Sequence, residues 1–327
     1  MPLSEFEIIQ HYFERQGLTR PEVLTGIGDD AAVLRPPADR ELVIAIDTLV
    51  AGVHFPENTP AEDIGWKVLA VNLSDLAAMG AEPAWFTLAL TMPTASQHWL
   101  EAFSRGLFEL AQQHRIALVG GDTTHGALTI SVQIAGYLPP GKAILRKGAS
   151  AGDLVYLTGT IGDAAVALSL LLGELKAEVP QKAELLRRLN RPQPRVAEGQ
   201  AIRELAHCAI DISDGLWADI EHMLAASGVG ARIELSRLPL SAGVERLLTS
   251  RPSLWRTILG GGDDYELCFC ISPENRNSLE QLAQQQGFRF TCIGSITAEP
   301  GLTCVDTGGQ PLSMAVSGYQ HFKKDEE

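Results

Sequence analysis

No apolar run in this sequence is long enough to cross a membrane. LVIAI stops at Asp47, and VALSLLLG falls far short of the ~20 residues a spanning helix needs. Positive charge is also scarce: 26 Lys and Arg stand against 40 Asp and Glu, for a net charge of −14. A chain this acidic has no broad basic patch for a nucleic-acid backbone, so no nucleic-acid partner is expected. The opening MPLSEFEIIQ is acidic and polar, unlike a secretory signal, and a cytoplasmic protein with no membrane partner is expected. The five cysteines (208, 268, 270, 292 and 304) are odd in number and include no CxxC pair. That usage excludes a disulfide framework and a zinc knuckle, and suits reduced thiols in a core.

Phosphate-binding loops are missing as well. GYLPPGKA (136–143) comes near the phosphate-loop pattern, but Ala143 replaces the required hydroxyl and two prolines remove backbone donors. GIGDDA and GTIGDA lack the third glycine of a dinucleotide fingerprint. Counting from Asp211, the twelfth residue is His222, so no calcium loop starts there. Any nucleotide phosphate must be held by metal ions, glycine-rich turns such as GGD (120–122) and GGDD (261–264), and a few cations such as Arg146.

What is present is an ordinary globular composition over 327 residues, 45% hydrophobic and 20% charged, enough for two domains. ELVIAID (41–47) reads as a buried strand ending at Asp47, and 63–79 as a helix capped by Asp63. Strands follow at 84–92 and 127–138, with a helix at 97–114 between them. GASAGD (148–153) marks a connector, dividing the chain into domains at 1–145 and 146–327. Further on, 153–159, 208–212 and 265–271 read as strands, and 195–207 and 215–227 as helices. IGDDAA (27–32) is echoed by IGDAA (161–165), either by chance or because the two halves are related. KKDEE reads as a solvated end.

The informative feature is a set of aspartates at element ends or turns: Asp29, Asp30, Asp47, Asp75, Asp122, Asp211, Asp214, Asp263 and Asp264. None has a basic residue adjacent. Any one alone is explained as a turn former or helix cap. Together they suit hard divalent cations, since Mg²⁺ in nucleotide sites is held by a few carboxylates plus phosphate oxygens. Asp75 shares a helical face with Val68, Asn72 and Met79, where a lone buried carboxylate needs a neutralising partner. In DISDG, Asp211 and Asp214 stand at the carboxyl end of a short strand, where ligands gather in α/β folds, and Ser213 is a candidate helix cap.

Taken in order, GIGDDAAVL, DTLVAGVHF, KVLAVNLSDLAAMGAEP, GGDTT, TGTIGDAA, ISDGL and GGDDYEL closely resemble the thiamine-monophosphate kinase family, over about residues 1–322. The resemblance implies an α/β (α+β) fold of two aminoimidazole ribonucleotide synthetase-like domains, with a homodimer built on the N-terminal mixed sheets. It implies transfer of the ATP γ-phosphoryl to thiamine monophosphate, the last step to thiamine diphosphate, with several Mg²⁺ ions and no catalytic side chain beyond the metal ligands. Asp30, Asp47, Asp75, Asp122, Asp211 and Asp214 match metal ligands. Gly121, Asp122, Arg146 and Ser213 match ATP contacts, and His54, Asp263 and Tyr319 match substrate contacts. The chain departs from the family at Ala45 and Ile46, where hydroxyl residues are usual, at Asp263, usually Glu, and at Arg105, often an aromatic beside adenine. The alternative is another ATP-dependent synthetase of the same architecture, of the aminoimidazole ribonucleotide or selenophosphate type.

Overall fold

A computed structural model describes residues 4–14, 17–306, 309–311 and 318–319. The KKDEE end lies outside them. The chain divides into two compact units: residues 1–76 with 81–143, and residues 77–80 with 144–327.

The first unit runs α1 (Glu5–Ile8), β1 (Val23–Thr25), β2 (Val33–Leu34), β3 (Glu41–Val50), α2 (Ala61–Ala78), β4 (Glu82–Met92), α3 (Gln97–Gln113), β5 (Ala117–His125) and β6 (Thr129–Leu138). Its main sheet has the order β3-β6-β4-β5, with β4 and β5 parallel and the other pairs antiparallel. One face of that sheet is apolar and buried: Leu88, Leu90, Ile130, Val132 and Ile134 are 4% exposed or less. Helix α2 packs on this face, because a Cβ at Gly136 of β6 would lie 3.1 Å from the Leu76 side chain. Helices α2 and α3 touch backbone to backbone: a Cβ at Gly106 would fall 1.8 Å from the Glu62 carbonyl oxygen, so only glycine fits.

Three expectations change in this unit. Strand β3 does not end at Asp47 but runs to Val50. It is an edge strand: half of its ten residues are exposed and only Leu49 is buried. Helix α2 starts at Ala61, so Asp63 lies inside its first turn and does not cap it. GGDTTH is not a turn: it forms the second half of β5, a strand that the glycines and threonines concealed.

The second unit runs β7 (Leu154–Thr158), α4 (Asp163–Leu171), α5 (Lys182–Asn190), α6 (Val196–Ile202), β8 (Ala206–Asp211), α7 (Leu216–Ser227), β9 (Gly230–Glu234), α8 (Ala242–Ser250), α9 (Trp255–Gly260), β10 (Leu267–Ile271), α10 (Arg276–Gln286), β11 (Phe290–Thr297) and β12 (Gly301–Val305). Its six strands lie in the order β12-β9-β11-β7-β10-β8, antiparallel except for β12 with β9. Every residue of β10 is buried, Cys268 and Cys270 as well as Leu267, Phe269 and Ile271, because both faces of that inner strand are covered. All five cysteines are free thiols. The expected helix over 195–207 stops at Ile202, and residues 206 and 207 already belong to β8.

Candidate active site

The first unit presents its candidate residues on two faces of one sheet. Thr48, Ser131, Ala89 and Asp122 pair in one row across the four strands, so they share a face. Hydrogen bonds between the Thr48 and Ser131 hydroxyls (2.7 Å) and between Thr91 and Thr124 (2.9 Å) show that face to be continuous. Asp122 is exposed there, and Gly121, in the opposite row with Leu88, is exposed too. Asp47 belongs to the opposite row, with Val132 and Leu88, on the face that carries α2. Asp75, on α2, lies in the same layer, half-buried between fully buried Ser74 and Leu76. The Oδ1 of Asn72, one turn before it and fully buried, accepts no hydrogen bond.

His54 follows the turn after β3. Its Nδ1 accepts the Val50 N–H at 3.0 Å, while its own N–H donates to the Val50 carbonyl at 3.0 Å. An accepting Nδ1 leaves the proton on Nε2, which makes that nitrogen a donor. Asp29 and Asp30 are both exposed, and they divide the work: the Asp29 carboxylate accepts the Asp30 N–H at 2.8 Å, bracing the turn. The same unit holds a groove of about 580 Å³ whose walls include Pro93, Trp99 and Arg105. Arg105 is ion-paired with Glu62 at 3.0 Å.

In the second unit the motif residues meet through the backbone. Strand β8 ends at Asp211, opposite Leu267 of β10. The pairing continues past both strand ends: Tyr265 N–H donates to the Ile212 carbonyl (2.8 Å) and Asp263 N–H to the Ser213 carbonyl (3.0 Å). Gly262 permits this approach, since a Cβ there would lie 2.0 Å from the Ser213 oxygen. Asp263 and Tyr265 adopt left-handed φ of 71° and 50°, and the Tyr265 hydroxyl donates to the Asp263 carboxylate at 3.2 Å. Such conformations cost roughly 1–3 kcal/mol each and persist only where neighbours impose them. Tyr319, 45% exposed, donates its N–H to the Asp214 carbonyl at 3.1 Å. Asp211, Ser213, Asp214, Asp263 and Tyr319 thus form one assembly. Arg146 is exposed, near the start of this unit.

Reading the sequence alone missed two acids, Asp219 and Glu266, and gave no separate role to a third, Asp264. Asp219, 3% exposed, accepts the Ser213 and Asp214 amides at 3.0 and 3.1 Å. Burial, with the charges of Asp211 and Asp214 beside it, pushes its carboxyl up to about 8. Glu266, 1% exposed, accepts both Nε and Nη2 of Arg195, at 2.6 and 2.5 Å, and the Thr158 hydroxyl at 2.6 Å. Burial works against the Arg195 charge, but that bidentate bond raises its affinity for the proton overall. Asp264 accepts the Gly162 N–H at 2.8 Å, and burial drives its carboxyl well above the usual range. The one available signal was the i, i+4 step from Gly215 to Asp219, too common to single out.

Among the described residues, no three His, Cys, Asp or Glu side chains gather into a ready metal cage. The donor set nonetheless suits Mg²⁺: it is all oxygen, and the crowding of Asp211, Asp214 and Asp219 is what a cation relieves. Mg²⁺ keeps several water and phosphate ligands and does not require a complete protein cage.

The two units match two descriptions in sequence order: "AIR synthase related protein, N-terminal domain" over residues 28–138, and "AIR synthase related protein, C-terminal domain" over residues 150–307. The class is therefore that of the two-domain AIR synthase related proteins. Thiamine-monophosphate kinase of Escherichia coli K12 is 46% identical over 323 residues, 98% of this chain and 99% of that one. The crystal structure of thiamine-monophosphate kinase from Stenotrophomonas maltophilia K279a is 46% identical, with a TM-score of 0.86 over 95% of this chain and 99% of that one. A structure of AaThiL complexed with AMPPCP and TMP is 31% identical, with a TM-score of 0.76 over 90% and 92% of the two chains. Within its class, the chain belongs to the thiamine-monophosphate kinase family.

Proposed function

We propose that this chain transfers the γ-phosphoryl group of ATP to thiamine monophosphate, forming thiamine diphosphate and ADP in the cytoplasm. Family membership at 46% identity over nearly the whole length supports the reaction. The observation in this chain that carries the reading is the Asp211–Asp214 turn, locked by backbone bonds to Asp263 and Tyr319. It sets acidic and hydroxyl groups for a nucleotide beside groups for a second substrate.

The acceptor is itself a phosphate, an anion with a competent nucleophilic oxygen, so no strong general base is required. The obstacle is repulsion between two anions, and catalysis is positioning plus neutralisation. When bound, Mg²⁺ would supply charge neutralisation. The residues that would hold it, as several ions, are Asp30, Asp47, Asp75, Asp122, Asp211 and Asp214. Ala45 and Ile46 bring no hydroxyl to it, so at that point of β3 only backbone carbonyls serve. Gly121, Asp122, Arg146 and Ser213 bind the ATP, with the adenine in the groove beside Trp99 and Arg105. His54 donates from Nε2 to the acceptor phosphate, and Asp263 and Tyr319 contact the thiamine. Transfer is direct and in line, with no phosphoenzyme.

The chain works as a homodimer through the open face of the first unit's sheet. On that face Leu42, Ile44 and Ile46 of β3 are 44, 52 and 64% exposed, an apolar stripe that a second copy covers. Sedimentation that finds a monomer at micromolar concentration sinks the dimer.

The deciding assay mixes the protein with Mg·ATP and thiamine monophosphate. Thiamine diphosphate and ADP in equal amounts are expected. ADP formed only with another acceptor would replace this reading with the synthetase one. A phosphoaspartate trapped during turnover would end the direct mechanism.

A further inference from the structure

Asp219 lies outside every motif that marked the family, yet it is nearly fully buried. It sits in the first turn of α7, and one oxygen, Oδ2, accepts two amides: Ser213 at 3.0 Å and Asp214 at 3.1 Å. The residue before the helix is Gly215, which has no side chain to cap it. The cap instead comes from within the helix and reaches back over the turn. That turn is also held from its other side, where the Ser213 carbonyl accepts Asp263 N–H and the Asp214 carbonyl accepts Tyr319 N–H. Both residues are therefore fixed through N–H and carbonyl together, and among the described residues Asp219 supplies the acceptor for both amides.

The geometry points to Asp219 as a positioning residue: through its two amide bonds it sets the direction in which the Ser213 and Asp214 side chains meet the nucleotide. What the turn holds rests on the functional reading above; the bonds themselves do not. A single oxygen makes both contacts, so acceptor placement is the property that matters rather than charge. Asparagine can put its Oδ1 in the same place, whereas glutamate keeps the carboxyl group but moves the oxygen by one methylene.

Asp219→Asn and Asp219→Glu therefore separate the two properties. Two quantities are measured: hydrogen exchange of the Ser213 and Asp214 amides in ligand-free protein, and the KM for Mg·ATP against kcat. In Asp219→Asn, both amides exchange within about threefold of wild type and KM is retained. In Asp219→Glu, the two amides exchange about tenfold faster or more, and KM rises by a similar factor, the size expected for losing one or two well-placed bonds. The inference is overturned if Glu behaves as wild type, or if Asn is as impaired as Glu. A wild-type chain with no turnover on thiamine monophosphate would sink the functional reading alone, and the exchange rates would still decide the role of Asp219.

Discussion

IGDDAA at 27–32 and IGDAA at 161–165 are nearly the same words, and the fold uses them in opposite ways. In the first, Asp29 and Asp30 are exposed, the Asp29 carboxylate accepts its neighbour's amide, and β2 rather than a helix follows. In the second, Ile161, Asp163 and Ala164 are 3% exposed or less, and α4 begins at Asp163. Its carboxylate accepts the Thr160 hydroxyl at 2.7 Å and the Ser241 hydroxyl, while the Gly162 amide is taken by Asp264. The buried aspartate is already satisfied by protein donors. The exposed pair lies open to solvent. A shared motif therefore does not carry a shared role; the donors that reach it decide.

The comparison is broken most sharply by exchanging the consequences of the two aspartates. If Asp30 holds the metal as proposed, Asp30→Asn is expected to cut turnover about a hundredfold or more, with an unchanged melting temperature. Turnover near wild type would remove Asp30 from the metal ligands. Asp163→Ala should do the reverse. It leaves two hydroxyls without their acceptor and removes one of the three acids around Arg188, costing roughly 2–4 kcal/mol in urea unfolding while folded molecules keep their kcat.

The glycines before the aspartates give a smaller contrast. Gly162 has φ 81°, and an added Cβ would lie 2.8 Å from the Ile258 side chain, so Gly162→Ala should cost roughly 2–3 kcal/mol. Gly28 has φ 114° but no neighbour closer than 4.0 Å, so Gly28→Ala should cost only about 1 kcal/mol. Equal losses would mean that conformation alone, without packing, sets both costs.

The smallest effect is a pH slope confined to the buried copy. The Asp264 carboxyl is raised well above its ordinary 3.8, so between that value and its folded one the native chain holds a proton that the unfolded chain has lost. Its contribution to stability is full below about pH 4 and fades as pH rises through the folded value. Melting temperatures in EDTA should therefore fall with rising pH less steeply in Asp264→Asn, whose amide still accepts from Gly162. An identical slope would show that Asp264 titrates normally.

Much of this chain was readable before any fold was known, wherever a local pattern carried the information. Helix α3 and strand β6 follow from spacing within a few residues of their true ends. Strand β5 did not, because Gly120, Gly121 and two threonines read as a turn, and only parallel pairing with β4 makes them a strand. The edge position of β3 was hidden too, since an apolar run does not say on which side its strand is paired.

The candidate site divides in the same way. The oxygen-rich set of aspartates, its fitness for a hard cation and the family it belongs to were determined by the sequence by itself, because residue type and order suffice for chemistry of that kind. Tertiary structure alone decided which aspartates stay available and which are committed. Asp163 and Asp264 are occupied by donors up to 102 residues away, Glu266 is clamped by Arg195 71 residues before it, and Asp219 becomes the brace of the Ser213–Asp214 turn. Burial and hydrogen-bond supply are properties of what packs around a residue, and neighbours in space are not written beside it in the chain.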